Sequence, residues 1–400
     1  MVGLLVGLKY RSSFDLEISI EEIKQLALAC AITVSETVIQ EASPNKVTYI
    51  GSGKLSEIAA YANAYDVVIF NEELTPLQMR NITDLIDVPV LDRTDLILRI
   101  FESRAATKEA KLQVRMARLN YELPRLAGAH SEIYSQQGGS GFRGAGEQQL
   151  ELERRRIRKT LASVRRQLKE VKKDRQTQRK RRSTMKCIAL VGYTNSGKSS
   201  LLNLFTSKKV ESKDMLFATL QTATRKVMIK EREALMIDTV GFISQLPHFL
   251  IEAFKSTLEE VTQADLIVFV IDSSSDYIQT QINVTMQVLK ELGVGETPIL
   301  YVYNKCDLPT SEFLVPKDPH VFISVKDHLH LDDLEEAMAR ILYQDEERLH
   351  LLIPYEEGGL YQRLRQETTL IKERFAAEGI HLLIEAPAYY REQLKEYLIS

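Results

Sequence analysis

Gly192-Tyr193-Thr194-Asn195-Ser196-Gly197-Lys198-Ser199 sets two glycines, a lysine and a hydroxyl residue into one short run. The spacing is G-x-x-x-x-G-K-[ST], which is what a loop needs to wrap a phosphate chain. The glycines let successive backbone amides turn towards a β-phosphate. Lys198 supplies a point charge near the β- and γ-phosphates, and the Ser199 hydroxyl is a ligand for Mg²⁺. The context agrees: the apolar run Cys187 to Val191 reads as a buried strand leading in, and Ser200 opens the apolar helix SLLNLF leading out.

Three further groups fall in the order such a site requires. Asp238-Thr-Val-Gly241 ends an apolar strand, Ala234 to Ile237, about 40 residues beyond the lysine. In a D-x-x-G turn, Asp238 holds the metal through water and Gly241 offers its amide to the γ-phosphate. Asn304-Lys305-Cys306-Asp307 closes the strand Ile299 to Tyr303. Its Asp307 carboxylate would accept from the N1–H and exocyclic amine of guanine, a pair that adenine does not present. Ser324-Val325-Lys326, after the strand Val321 to Ile323, occupies the place of a last base-contacting loop. The nucleotide is thus expected to be GTP or GDP. Ser199, Thr219 and Asp238 are the expected metal ligands, and Lys198, Thr219 and Gly241 the expected groups at the reacting phosphate. Thr219 is chosen as the switch threonine between Lys213 and Arg225. The residue after D-x-x-G is Phe242, where efficient hydrolysers place a glutamine that orients water. Slow intrinsic turnover, completed by a rearrangement or a partner, is the expectation.

Two other glycine-rich runs carry less. Gly51-Ser-Gly-Lys54 has Thr48 before it and Leu55 after it, so it lacks the first glycine and the magnesium hydroxyl. Gly139-Ser-Gly-Phe-Arg-Gly144 matches G-x-G-x-x-G but follows polar residues rather than a strand, and reads as a connector.

The elements that position these groups follow from periodicity. Val2 to Leu8, Val47 to Ile50, Val67 to Phe70 and Val88 to Leu91 read as strands. Ile20 to Ala31, Leu55 to Ala64 and Leu74 to Ile86 read as helices between them, which predicts a small parallel α/β sheet. From about Leu96 the pattern is helical. Arg104, Lys108, Lys111, Arg115 and Arg118 share one face, and Pro124 is expected to end or bend the helix. The run Gln137 to Gly146 reads as a flexible loop. A second helix from about Gln148 to Arg182 carries a heptad-like seam of Leu150, Ile157, Leu161, Val164, Leu168 and Val171. The pair suggests an antiparallel hairpin. The last 50 residues hold two strand-like runs around a helix expected from about Gly359 to Glu378.

The net charge of −3 conceals an asymmetry: Glu151 to Lys186 carries 16 Lys/Arg against 4 Asp/Glu, so the remainder is strongly acidic. Such a cationic helix grips phosphates with strong salt dependence and little sequence reading, which favours RNA recognised by shape. A composition of 44% hydrophobic and 27% charged residues is ordinary. No apolar run approaches the roughly 20 residues a membrane span needs. Cys30, Cys187 and Cys306 are too far apart for a disulfide framework or zinc site. The cytoplasm is therefore the expected compartment, free, on ribosomes or at a membrane surface.

At this point the residues resemble a known family. GYTNSGKSSLLN, FATL, DTVGFI, LPHFLIEAFKSTLEE and NKCD, with YIGSGK, NEELTPLQMRN, DRTDLILRIF, AATKEAKLQVRMARLNYELPRL and GEQQLELERRRI, are similar to the HflX family of ribosome-associated GTPases over nearly the full chain. The resemblance implies a P-loop GTPase domain at 186–346, preceded by an α/β subdomain at 1–103 and a basic helical hairpin at 104–185. A small α/β domain at 347–400 follows. It implies a protein that binds the large ribosomal subunit and its RNA through the N-terminal region and separates stalled ribosomes under stress; a monomer is expected. It also implies hydrolysis stimulated by the ribosome and ATP as a second substrate. The family's Asp-Pro-Thr is replaced here by Gln221-Thr222-Ala223, and its Pro-Gly-Glu-Thr by Ala145-Gly146-Glu147-Gln148. Two rival readings of the same residues are a ribosome-assembly GTPase and a nucleotide-gated binding module. A membrane-associated signalling GTPase is opposed by the lack of a lipidation motif.

Overall fold

The computed structural model describes residues 1–10, 16–129, 143–180, 185–206, 223–230, 232–239, 241–244, 247, 249–250, 253, 260–309 and 315–399. Its first sheet has the order β2-β1-β3-β4, from β1 (Val2–Lys9), β2 (Thr33–Glu41), β3 (Val67–Phe70) and β4 (Val90–Asp92), all parallel. Central β1 is buried on both faces, as a parallel strand covered by helices must be. The helices are α1 (Leu16–Ala29), α2 (Ser52–Tyr61), α3 (Pro76–Thr83) and α4 (Arg93–Arg104). The parallel α/β expectation holds, with one strand exchanged. Val47 to Ile50 is a turn rather than a strand. The Asn45 side chain accepts from the Val47 and Thr48 amides, and Tyr49 adopts a φ of 65° that no strand tolerates. The strand in this part of the chain is instead β2, whose mostly polar residues lie at the sheet edge and give little alternation to read.

α5 (Lys108–Ala129) and α6 (Arg143–Lys180) pack together. Leu161 and Val164 are buried, and Leu150, Ile157, Leu168 and Val171 half-buried, as the seam predicts. α6 begins at Arg143, inside the stretch expected to be a loop; residues 137–142 lie outside the described residues. α5 does not end at Pro124. An interior proline costs about 3 kcal/mol, and the neighbouring residues hold the helix through it. The Arg125 guanidinium lies 3.5 Å above the Tyr121 ring, donates to Leu74 O at 2.6 Å and pairs with Asp92 at 3.3 Å. Arg118 likewise leaves the expected cationic face, turning inward to Asp95, Glu102 and Glu122.

The second sheet runs β10-β9-β8-β5-β7-β6. Its parallel strands are β5 (Lys186–Val191), β7 (Arg232–Asp238), β8 (Leu266–Asp272), β9 (Ile299–Asn304) and β10 (His320–Phe322), with β6 (Ala223–Ile229) antiparallel on the edge. Helices α7 (Lys198–Leu204), α8 (Ile278–Glu291) and α9 (Leu331–Leu342) accompany it. A third, antiparallel sheet of order β11-β13-β12 comprises β11 (Glu346–Ile353), β12 (Thr369–Ala376) and β13 (Gly379–Pro387), with α10 (Gly358–Glu367) and α11 (Tyr389–Gln393). The helix expected to reach Glu378 therefore stops at Glu367. The β-branched Thr368 and Thr369 disfavour its continuation, and pairing with β13 satisfies the backbone that follows. Arg232, the first residue of β7, joins this sheet to the second: it pairs with Glu346 at 2.8 Å and with Glu385, and its guanidinium lies 4.1 Å from the Tyr343 ring centre. Among the described residues, no helix is long and apolar enough to cross a membrane.

Asp92 is fully buried, and burial pushes its carboxyl up to about 6 against the opposing pull of Arg125 and two backbone amides. Arg125→Ala removes its counter-ion and should cost about 3 kcal/mol of stability. A carboxyl raised in the folded state takes up a proton as pH falls below about 6, which stabilises the fold towards pH 4. The loss in Arg125→Ala should accordingly be larger at pH 8 than at pH 5 in urea unfolding curves.

Candidate nucleotide-binding site

The loop 192–197 leaves the end of β5 and enters α7. Gly192, at φ 154°, passes so close to the Val270 carbonyl that no side chain fits, and Gly197, at φ 100°, abuts the Asn304 amide. Asn195 adopts a left-handed φ of 62°, completing the curl. Lys198 lies beneath the loop, donating to Tyr193 O at 2.5 Å and Gly192 O at 3.1 Å. Burial lowers its ammonium to about 8, partly countered by Asp238. Ser199 Oγ donates to Asp238 Oδ2 at 2.7 Å, so two hard oxygen donors from α7 and the end of β7 stand side by side. Ser200 is half-buried on the first turn of α7. The hydroxyls of Thr194 and Ser196 are buried without a hydrogen-bond partner among the described residues.

Asn304 is the hub of the base side. Its Nδ2 donates to Ser196 O at 2.9 Å and its Oδ1 accepts from the Val325 amide at 3.1 Å, tying the phosphate loop to the 324–326 turn. Lys305, with φ 67°, reaches Asp272 Oδ2 at 2.5 Å. The Ser324 hydroxyl holds the Asp307 carboxyl below the ordinary aspartate range, helped by Lys326 and Lys305. Asp307 Oδ1 is buried with no hydrogen-bond partner among the described residues, an acceptor suited to an N–H donor on a flat base. Gly192 to Ser200, Asp238, Gly241, Asn304, Lys305, Asp307 and Ser324 to Lys326 thus gather beyond the C-terminal ends of the parallel strands of the second sheet. Thr219, Gln221 and Thr222 lie outside the described residues.

Sequence reasoning missed Asp272, the carboxylate that seats Lys305; only its position at the end of an apolar strand hinted at it. It also missed the surroundings of Phe242, which is buried in a core shared with Phe101 and Tyr121 of the N-terminal part. Backbone bonds from Thr194 N to Phe242 O at 2.8 Å and from Phe242 N to Gly192 O at 3.1 Å set it against the phosphate loop.

A strand-fed phosphate loop, a D-x-x-G turn against it and an N-K-x-D loop joined through Asn304 define a P-loop GTPase, which binds and hydrolyses GTP. Family models match in succession along the chain: "GTP-binding GTPase N-terminal" at residues 17–102, "GTP-binding GTPase Middle Region" at 104–182 and "50S ribosome-binding GTPase" at 187–305. GTPase HflX of Caldanaerobacter subterraneus subsp. tengcongensis is 42% identical over 397 residues, covering 97% of this chain and 92% of its own. GTPase HflX of Alkalihalophilus pseudofirmus is 38% identical over 417 residues, covering 99% and 97%. A crystal structure of a GTP-binding protein from Sulfolobus solfataricus in complex with GDP aligns over 86% of this chain and 99% of its own, at 25% identity and a TM-score of 0.46. The chain belongs to the HflX family of GTPases.

The lowered Lys198 ammonium gives nucleotide binding a pH dependence. Phosphates beside it raise its affinity for the proton, so binding takes up a proton once the free protein begins to lose it, above about pH 8. GDP affinity should fall as pH rises from 8 to 10. Calorimetry in buffers of different ionisation enthalpy should register proton uptake at pH 9 and none at pH 6.5.

Proposed function

We propose that this GTPase binds the large ribosomal subunit through ribosomal RNA and uses the GTP cycle to split or rescue stalled ribosomes under stress. The observation that carries the RNA contact is α6. Arg156, Lys159, Arg165, Arg166 and Lys169 are exposed along it, with no ion-pair partner among the described residues. Five free cations on one rigid helix give a phosphate-tracking surface, and a matching family model is described as a 50S ribosome-binding GTPase. In this reading 1–103, 104–185, 186–346 and 347–400 are the working units, the protein is a monomer and its place is the cytoplasm.

At the nucleotide, Lys198 faces the β- and γ-phosphates, and the amides of Tyr193 to Ser200 surround the phosphate chain. The Gly241 amide meets the γ-phosphate. Asn304, Lys305 and Asp307 select guanine, with Ser324, Val325 and Lys326 closing over the base. Ser199 and Asp238, joined by Thr219, would hold Mg²⁺, a hard cation suited to these oxygens, which supplies charge neutralisation at the transferring phosphate. Phe242 cannot orient water, which supports slow hydrolysis in isolation and stimulation by the ribosome.

GTP turnover should rise at least about tenfold when purified large subunits are added, and preassembled ribosomes should sediment as separate subunits. No stimulation together with intact ribosomes would refute the reading. Lys198→Ala should abolish binding of both GTP and GDP. Replacing Arg156, Arg165 and Arg166 by alanine should weaken subunit binding and reduce the slope of log affinity against log salt by about 1 to 3. An unchanged slope would place the grip elsewhere.

A further inference from the structure

The N-terminal sheet reaches the nucleotide site through one buried polar cluster. Arg93, at the start of α4, is only 1% exposed, and its partner Glu22 on α1 is 7% exposed. Arg93 Nη1 donates to Glu22 Oε2 at 2.9 Å, while Nε and Nη2 are taken up by Asn71 O and Ser19. Both members of the pair then cross to the GTPase unit. Glu22 Oε1 accepts from the hydroxyl of Tyr193, the second residue of the phosphate loop. Glu22 Oε2 accepts from Ser244 Oγ, three residues beyond Gly241. Arg93 Nη1 also donates to Ser244 O at 3.3 Å, and the Ser244 amide donates to the Tyr193 hydroxyl at 2.7 Å.

With Ser244 so held and Phe242 paired to Gly192 and Thr194, Gly241 is pressed onto the loop. A methyl group on Gly241 would lie 2.9 Å from Thr194 Cα and 3.1 Å from Lys198 Nζ. A γ-phosphoryl group must bridge Lys198 and the Gly241 amide with hydrogen bonds of about 2.8 Å on each side. A γ-phosphoryl entering there competes with the pairing of Phe242 to Gly192 and Thr194 that seats the turn on the loop, so Gly241 moves outward as it enters and Ser244 follows. A diphosphate makes no such demand, because its last phosphate ends beneath the loop.

We propose that Glu22 and Arg93 are specificity-determining residues of the nucleotide site. By holding Ser244 against Tyr193 they favour GDP over GTP, and GTP binding works against that hold. The selectivity of the phosphate loop is therefore set in part from the N-terminal sheet. The inference rests on the proposed contact between Gly241 and the γ-phosphate.

The test measures equilibrium dissociation constants of the full chain for GDP and for the non-hydrolysable analogue GppNHp. Ser244→Ala and Glu22→Gln should each tighten GppNHp by about tenfold, the weight of one hydrogen bond to a charged group, and leave GDP unchanged. The double variant should gain no more than the stronger single one, since both release the same hold. Glu22→Gln leaves Arg93 buried without a counter-charge, so thermal unfolding is followed in parallel; Ser244→Ala removes only a hydroxyl and keeps the test available if Glu22→Gln does not fold. A GppNHp-to-GDP ratio that stays constant in folded Ser244→Ala overturns the proposal, as does an equal change for both nucleotides. If Lys198→Ala still loses both nucleotides in that case, the reading of the site stands and only the hold is wrong. Retained binding in Lys198→Ala would instead remove the site reading itself.

Discussion

The register of one parallel sheet sets everything at the nucleotide. Leu190 pairs with Asp238 and Asp272 with Asn304, so β5 ends level with β7 and β8 level with β9, and because Val191 pairs with Phe269 the second pair runs three residues further. Loops leaving those ends are forced together, which is why a lysine, two carboxylates and an asparagine far apart in sequence come within a few bonds of one another. Hydrogen bonding through the central strands fixes that level, and the apolar side chains on both faces of the sheet hold it. The loops need only curl, and Gly192, Asn195 and Gly197 supply the backbone angles that allow it.

Much of this was legible in the residues. Buried parallel strands are continuous apolar runs, and β5, β8 and β9 announced themselves that way. Fixed-spacing motifs attached to their ends did the rest. Legibility failed where the deciding force is tertiary. Nothing local distinguishes Thr369–Ala376 as a strand until β13 lies beside it. Pro124 reads as a breaker until Arg125 is seen seated over Tyr121. Edge strand β2 is too polar to betray its single partner. In the site, Asp272 and the Glu22–Tyr193 contact were invisible because the first pairing is made only when β8 and β9 lie side by side, and the second only when the N-terminal sheet meets the phosphate loop.

Phe242 shows how one position serves two demands. Its ring fills a core that continues through Ile243 and Leu250 to Phe101 and Tyr121, so the D-x-x-G turn is as much a part of the interface between units as of the site. A water-orienting side chain at this position would put a polar group into that core. Phenylalanine in place of glutamine at this step therefore has a packing reason in this chain.

The strand β7 is pinned at both ends. Arg232 at its start is gripped by two carboxylates of the third sheet and by the Tyr343 ring just ahead of that sheet, and Asp238 at its end meets Ser199. Because strand side chains alternate, a slip of one residue would turn both away at once. Each end therefore proofreads the other: the chain cannot seat its C-terminal sheet correctly while presenting the wrong residue to the phosphates. Folding of the last fifty residues becomes a quality check on a site laid down more than a hundred residues earlier.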